Sequence, residues 1–460
     1  MKKAVISLLQ TSIQQLRFHS LPSLIGILKN RLPIDLIALE RGCRNRIYTP
    51  ARTFWLFLYQ ILSGNLSMDE IVQNAIQWLN SVTSSPISPN TGAYSKARKR
   101  LPLSLLRKVD QHIQEQFPTP NRFHGYHLKV VDGTGISMPD NSELQNAFPQ
   151  HPKAKQSLGF PILKLIALFD LSTGILQEWA IDTITTSDSA LFRLLWPYLL
   201  PNDLILGDRH FCGFAYFAFL LQQGVHSLTR KHQMRKHQKI IKVLGKGDLI
   251  VEWKKPRNAP KWLNKEEWDH LPGALRVREV TQDICHKGFR TQQIVVVTTI
   301  LTETITANEL AHLYYRRWKV ELNFRDIKIT MGMDMLKGKS VDIIEKELFI
   351  FFIAYNLIRF IMKDAAESNF SDLEKISFKA TVNAIRIWGP IFSQITNQET
   401  YDIYYQQFLK IIAYPRCRNK ANRSEPRARK KRPKNYQLLM GDRHEFSPIP
   451  HRSKYKKVLK

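Results

Sequence analysis

Cysteine is scarce in this chain, with four residues in 460 (Cys43, Cys212, Cys285 and Cys417), and none lies close in sequence to another. Neither a zinc knuckle, whose ligands come in tight pairs, nor a secreted disulfide framework fits that spacing, so an intracellular, cytoplasmic protein is expected. Long apolar runs are missing too. The best candidate, residues 348–362, is interrupted by Asn356 and Arg359. At 15 residues it is shorter than the ~20 a bilayer span needs, which predicts a buried helix and no membrane association. Residues 1–9 carry two lysines and a short apolar stretch, but Gln10, Gln14, Gln15 and Arg17 make the segment amphipathic instead of a signal-peptide core. No segment recurs at a fixed period, which sets solenoids aside. Acidic residues are in short supply: 39 Asp and Glu face 68 Lys and Arg, for a formal charge of +29. An excess of that size, spread through ordinary globular sequence, points to a polyanionic partner, and to nucleic acid before membrane.

What is present divides into regions of different character. Residues 1–120 read as a helical N-terminal DNA-binding domain, with a capping box at Ser67 and Glu70 opening one helix. A loop over residues 84–92 leads into a basic stretch in which Lys96, Arg98, Lys99 and Arg100 either track phosphates or simply line a solvated helix end. From His127 the pattern turns to short β-type runs at 128–131, 162–169 and 175–181, a helix over 188–199, an apolar strand at 204–206 and a helix over 214–221. That order predicts a mixed α/β layer over residues 121–230. Residues 231–305 read as a β-rich insertion, 306–375 as the second part of the α/β core, and 376–460 as a C-terminal helical region ending in a basic tail. The tail, residues 415–460, holds 16 Lys or Arg against Glu425, Asp442 and Glu445.

Two aspartates sit in matching contexts. Asp132 follows the apolar run 128–131 and precedes Gly133, Thr134 and Gly135, while Asp208 follows 204–206 and Gly207. Each is expected to project from a strand end beside a turn, where two carboxylates can converge on a divalent cation that offsets their repulsion. Either one alone is as readily a turn or helix-cap residue. A third acid comes from residues 314–328. At ~100° per residue, Tyr314, Arg317, Glu321 and Lys328 share one narrow polar stripe, and Leu313, Val320, Phe324, Ile327 and Met331 form an apolar stripe beside it. Read alone, this is an exposed helix with an Arg317–Glu321 pair worth a few tenths of a kcal/mol. Read with the aspartates, Glu321 becomes a third metal ligand, Arg317 and Lys328 phosphate clamps, and Tyr314 a hydrogen-bond donor to phosphate.

The spacing Tyr, two residues, Arg, three residues, Glu, six residues, Lys resembles the hallmark of the insertion sequence four (IS-four) family of bacterial DDE transposases, and 314, 317, 321 and 328 match every interval. Val131-Asp-Gly-Thr resembles the family's first acidic motif, and Asp208-Arg-His-Phe its second. The basic run holding Arg427, Arg429, Lys430, Lys431 and Arg432 looks like its C-terminal segment. The resemblance spans nearly the whole chain. It implies an α/β, ribonuclease-H-like catalytic core with a β-rich insertion, and it accounts for the spacing of 113 positions from Asp208 to Glu321. Asp132, Asp208 and Glu321 would then be the catalytic, metal-holding residues for two divalent ions, magnesium or manganese in its place.

The reaction implied is cleavage at the element's ends followed by attack of the freed 3′-hydroxyl on target DNA. The implied partners are double-stranded DNA, as terminal inverted repeats and as target, and a second copy of the chain in the paired-end complex. Contacts from Tyr314, Arg317, Lys328, Lys96, Arg98 and the basic tail would hold the DNA, with the protein on the nucleoid when bound. One departure stands out: residues 291–299 lack the Trp that some family members stack on a flipped base. Trp253, Trp262 and Trp268 remain as substitutes, though each also suits ordinary aromatic packing. Two rivals stay open: a nuclease of the same fold that cuts without strand transfer, and a DNA-binding relative that has lost catalysis.

Overall fold

The computed structural model describes residues 27–28, 31–39, 47–79, 87–117, 122–150, 160–235, 239–283 and 293–414. Within them the N-terminal region is helical, as its pattern requires: α1 (Ile34–Leu39), α2 (Pro50–Leu62), α3 (Met68–Leu79), α4 (Gly92–Arg100) and α5 (Leu103–Glu115). Thr49 caps α2 through the Arg52 N–H, and Pro50 opens it at a position where no amide is needed. The capping box before α3 is formed, with Ser67 N–H donating to Glu70 and Glu70 N–H to Ser67 Oγ.

The strands join in one mixed sheet. β1 (His127–Ser137), β2 (Ile162–Asp170) and β3 (Leu176–Thr183) form an antiparallel meander, and β4 (Asp203–Gly207) and β5 (His226–Arg230) lie parallel to β1. The helices α6 (Ser142–Ala147), α7 (Asp188–Phe192) and α8 (Phe214–Gln222) fall between these strands in sequence. The strands expected as an insertion, β6 (Lys239–Gly245), β7 (Asp248–Lys254), β8 (Ala274–Asp283) and β9 (Gln293–Thr298), with the short α9 (Lys265–Asp269) between β7 and β8, do not close on themselves. β9 pairs antiparallel with β5, giving the order β3-β2-β1-β4-β5-β9-β8-β7-β6. Without β9, β5 would expose an unpaired edge beside the parallel strands; the insertion covers it and moves the edge away from the centre.

Two apolar layers flank the sheet. One is filled by α7, α8 and side chains of the insertion, including Phe192, Phe211, Phe217 and Trp253. The other holds the N-terminal helices together with α10 (Ala307–Arg316), α11 (Lys319–Arg325), α12 (Val341–Ser368), α13 (Phe378–Gln394) and α14 (Gln398–Ala413). Residues 348–362 are the buried middle of α12, as their composition predicts, and no helix among the described residues is long and apolar enough to cross a membrane. The polar residues that interrupt the run serve the β2–β3 turn. Asn356 bonds both the N–H and the C=O of Leu176, Tyr355 donates to Gly174 O, and Arg359 donates to Thr173 O.

The insertion also sets where α10 begins. Arg278 on β8 is buried, grips Asp248 with two bonds of 2.8 and 2.6 Å, and donates to the carbonyls of Thr302 and Ile305 at 2.7 Å each. Those carbonyls lead straight into the Thr306–Glu309 capping box that opens α10. At the opposite end of the parallel strands, Lys129 on β1 pairs with Asp203 on β4 at 2.8 Å, almost fully buried, and locks their register.

Beside that pair, burial pushes Asp110 and Glu178 up to about 7, and their mutual repulsion contributes to the rise at Asp110. Carboxyls raised in the folded state bind protons more tightly there than when unfolded. Their stabilising share is full below about pH 4 and is lost as pH rises towards 7. Replacing Asp110 by Asn should flatten the fall in melting temperature across that window. At pH 8 it should raise stability by on the order of a few kcal/mol. Thermal melts of parent and variant from pH 4 to 8 test this, and parallel curves would reject it.

Candidate active site

The centre of the site is set by strand register. β1 and β4 pair from His127 opposite Asp203 to Val130 opposite Leu206. Two residues further on, the same offset puts Asp132 level with Asp208 on strands roughly 4.8 Å apart. The expected strand-end turn after Asp132 does not form. β1 continues through Gly133, Thr134 and Gly135 to Ser137, because β2 goes on pairing with it (Asp132 opposite Ala167, Ser137 opposite Ile162). It is β4 that stops, at Gly207, so Asp132 stands where β1 outruns its parallel neighbour.

Local packing explains the residues around both acids. A Cβ on Gly207 would lie 2.9 Å from the Phe211 ring, and one on Gly133 would sit 3.4 Å from the Asp188 carboxylate. Asp208 accepts the His210 N–H at 2.7 Å and starts a tight turn over Arg209–Phe211, which folds the buried Phe211 back under Gly207. That is the physical content of an Asp followed three residues later by Phe. Asp188, at the start of α7, pairs with Lys164 on β2 at 2.9 Å, and its neighbour Ser189 bonds the His210 carbonyl at 3.4 Å. The first turn of α7 therefore touches both aspartate-bearing segments.

The third acid arrives on a helix that is not continuous. Bonds from Arg317 N–H to Tyr314 O and from Glu321 N–H to Trp318 O tighten the junction between α10 and α11, and residues 326–330 then widen into a π-turn closed by Met331 N–H on Asp326 O. One departure overwinds and the other underwinds, so a uniform 100° step does not describe the segment. Tyr314, Arg317 and Lys328 still reach the segments of Asp132 and Asp208, and the exposed Glu321 meets them through Arg317. Arg317 stands between the acids, 3.6 Å from Asp132 and 3.5 Å from Glu321. Tyr314 is buried, 5.9 Å from the Arg317 guanidinium by its ring centre, and within electrostatic reach of Asp208 and Arg230. Lys328 donates to Thr134 Oγ1 at 3.0 Å and to Gly135 O at 2.8 Å, on the same strand as Asp132.

Charge is strained here. Burial pushes Asp132 up to about 6; the Gly133 N–H and Arg317 pull the other way, while Asp208 and Glu321 add to the rise. Asp208 also takes a 2.8 Å bond from His210 Nδ1, and the Glu321 side chain is 45% exposed. Carboxylate oxygens are the donors that magnesium and manganese prefer, and a cation beside Asp132 would remove the penalty that burial imposes on its charge. The donor chemistry fits. As the side chains stand, Arg317 lies between Asp132 and Glu321, and among the described residues no three metal-binding side chains are gathered around one point.

A family model described as "Transposase DDE domain" matches residues 124–357. The chain belongs to that family. Among relatives, it is 29% identical over 284 residues to "Transposase InsG for insertion sequence element IS4" of Escherichia coli (strain K12), covering 60% of this chain and 62% of that protein. It is 24% identical over 197 residues to "Putative transposase InsZ" of the same organism, covering 41% of this chain and 62% of the other. The DDE match begins just before β1 and ends within α12, so it encloses Asp132, Asp208 and Glu321.

The remaining sequence-derived residues fare differently. Lys96 is exposed on α4, but Arg98 is turned inward, because Tyr94, Ala97, Arg98 and Leu101 form the buried i, i+3, i+4, i+7 stripe of that helix. Its guanidinium lies over the Phe57 ring at 3.8 Å and offsets the buried carboxyl of Glu347. A phosphate contact from Arg98 is corrected on that ground. Arg427, Arg429, Lys430, Lys431 and Arg432 lie outside the described residues. Trp253 is stacked on Phe217 and Trp268 is buried, while the partly buried Trp262 packs edge-on to Trp196, so all three belong to the core of the sheet's second face. Sequence reasoning missed Asp188, His210 and Arg230. His210 alone carried a signal, its place inside the second acidic motif.

Gly207→Ala should destabilise by about 1–3 kcal/mol by overpacking against the ring. Adding Phe211→Leu should recover part of that loss. Denaturant unfolding of the double-mutant cycle reads the coupling. Strictly additive losses would show that Gly207 does not make room for Phe211.

Proposed function

We propose that this protein is a DNA transposase that cleaves at insertion-sequence ends and transfers the 3′-hydroxyl strand into target DNA. The observation that carries the reading is the parallel register of β1 on β4, whose offset brings Asp132 level with Asp208 just past the end of β4, with Arg317 joining Asp132 to the Glu321 helix. A ribonuclease-H-like identity for β1 to β5 is supported by the order β3-β2-β1-β4-β5, antiparallel over the first three strands and parallel over β1, β4 and β5.

In this reading Asp132, Asp208 and Glu321 would hold two divalent ions, magnesium or manganese. Bound there, such ions supply Lewis-acid polarisation of the phosphodiester and of the attacking hydroxyl. The chain's own groups do the rest. Arg317, already between two of the acids, is placed to donate to a phosphate oxygen brought against them, and its planar fork can hold two oxygens at once. Lys328, held on Thr134 and Gly135, adds a positive charge further along β1, and Tyr314 sets the Arg317 side of the cleft. His210 holds the Asp208 carboxylate on one side and so limits the directions in which it can point. No covalent protein intermediate is needed, and the substrate is double-stranded DNA: two terminal repeats paired by two copies of the chain, then the target.

The test is incubation of the purified chain with magnesium and a duplex carrying the element's own terminal repeat, beside Asp132→Ala and Glu321→Gln. Site-specific 3′-end release and joining to a plasmid are expected from the parent, and from neither variant. Both variants should still shift the duplex in a binding assay. Full-rate cutting by Glu321→Gln would overturn the assignment of that residue, and cutting without joining would move the protein to the nuclease class.

A further inference from the structure

The outer face of α4 borders an open groove that the catalytic site does not use. The groove runs between Ile47–Tyr48, just ahead of α2, and the α4 residues Gly92, Ala93, Lys96 and Arg100, and encloses about 760 Å³. Ala93, Lys96 and Arg100 recur at i, i+3 and i+7 and are exposed, the complement of the buried Tyr94–Leu101 stripe. The N-terminus of α4 opens into the same space. Asn90 Oδ1 accepts the Gly92 N–H, leaving the following first-turn amides, which a helix cannot satisfy itself, pointing out of its end. At the groove wall Tyr48 is 5% exposed, and its hydroxyl has no hydrogen-bond partner among the described residues. A buried hydroxyl without a partner costs free energy, so it marks a place where an acceptor is missing.

We propose that this groove seats the sugar–phosphate backbone of duplex DNA, with Lys96 and Arg100 along one wall, the α4 amides at the end and the Tyr48 hydroxyl donating to a phosphate oxygen. Among the described residues, no acidic side chain lines it. An open groove of this kind suits a passing strand better than an enclosed small molecule, and helix N-termini with flanking cations are natural phosphate sites. The contacts are to the backbone, so the groove contributes affinity and register and reads no base. The proposal rests on the DNA-binding reading above, and it replaces the inward-facing Arg98 with Arg100 and Tyr48 as the partners of Lys96.

The experiment measures binding of a short duplex to the full chain across a salt series, for the parent, Lys96→Gln/Arg100→Gln and Tyr48→Phe. A plot of log affinity against log salt for the double variant should be shallower by about two, since each phosphate contact contributes ~0.9 to the slope. Tyr48→Phe removes no charge, so it should bind several-fold more weakly at every salt concentration with the parent's slope. Thermal melts confirm that the variants fold, and Lys99→Gln, on the same helix but outside the groove, serves as the control for general loss of charge. If the parent binds steeply with salt and all three variants match it, the groove assignment falls while the DNA reading stands. If the parent shows no salt-dependent binding, both fall.

Discussion

The parallel register of β1 on β4 is the constraint on which the site depends. With Lys129 sealed against Asp203 at one end, the two strands are held in register, and three residues beyond Lys129 and five beyond Asp203 the chain presents Asp132 and Asp208 at the same level. A slip of one residue would turn every side chain of β1 to the other face of the sheet. Asp132 would then point into the layer of α7 and α8. The ion pair is buried at a cost in desolvation that its Coulomb energy alone need not recover, and its structural return is that only one register satisfies both charges.

The rest of the molecule supports that register from its two faces. On one, Phe211 under Gly207 leaves no room for a side chain just before Asp208, and Asp188 packs at ordinary contact distance over Gly133 just after Asp132. On the other, α10 and α11 lie across the strand ends, with their starting point fixed by carbonyls that Arg278 holds from within the insertion. The insertion is thus a continuation of the sheet, and it helps position the third acid. The nearby π-turn brings Lys328 down onto Thr134 and Gly135, and a bridge between Ser137 and Met335 ties the segment after it to the end of β1.

Much of the architecture was legible in the residues. The capping box at Ser67, the short β-type runs and the buried character of residues 348–362 follow from local pattern, and the structure has them where the pattern puts them. The local turn after Asp132 was not legible. Gly133-Thr134-Gly135 has turn composition, but whether it bends depends on β2, whose pairing lies more than twenty residues away. Arg98 was misleading for a related reason: a basic residue in a basic run reads as solvent-facing, and only the packing of α4 on α2 and the buried Glu347 shows that its charge is needed inside.

Sequence alone determined which side chains are available for chemistry: two aspartates in strand contexts, and a Tyr–Arg–Glu–Lys series whose spacing keeps Arg317 and Glu321 within one helical turn. It could do so because helical and strand periodicities are local properties. The tertiary structure decided what lies beside what. The offset between β1 and β4, the joining of β9 to β5, the inward turn of Arg98 and the contact of α7 with both aspartate segments are all pairings between residues distant in the chain. Such pairings follow from burial and hydrogen-bond satisfaction over the whole molecule, which no local pattern encodes.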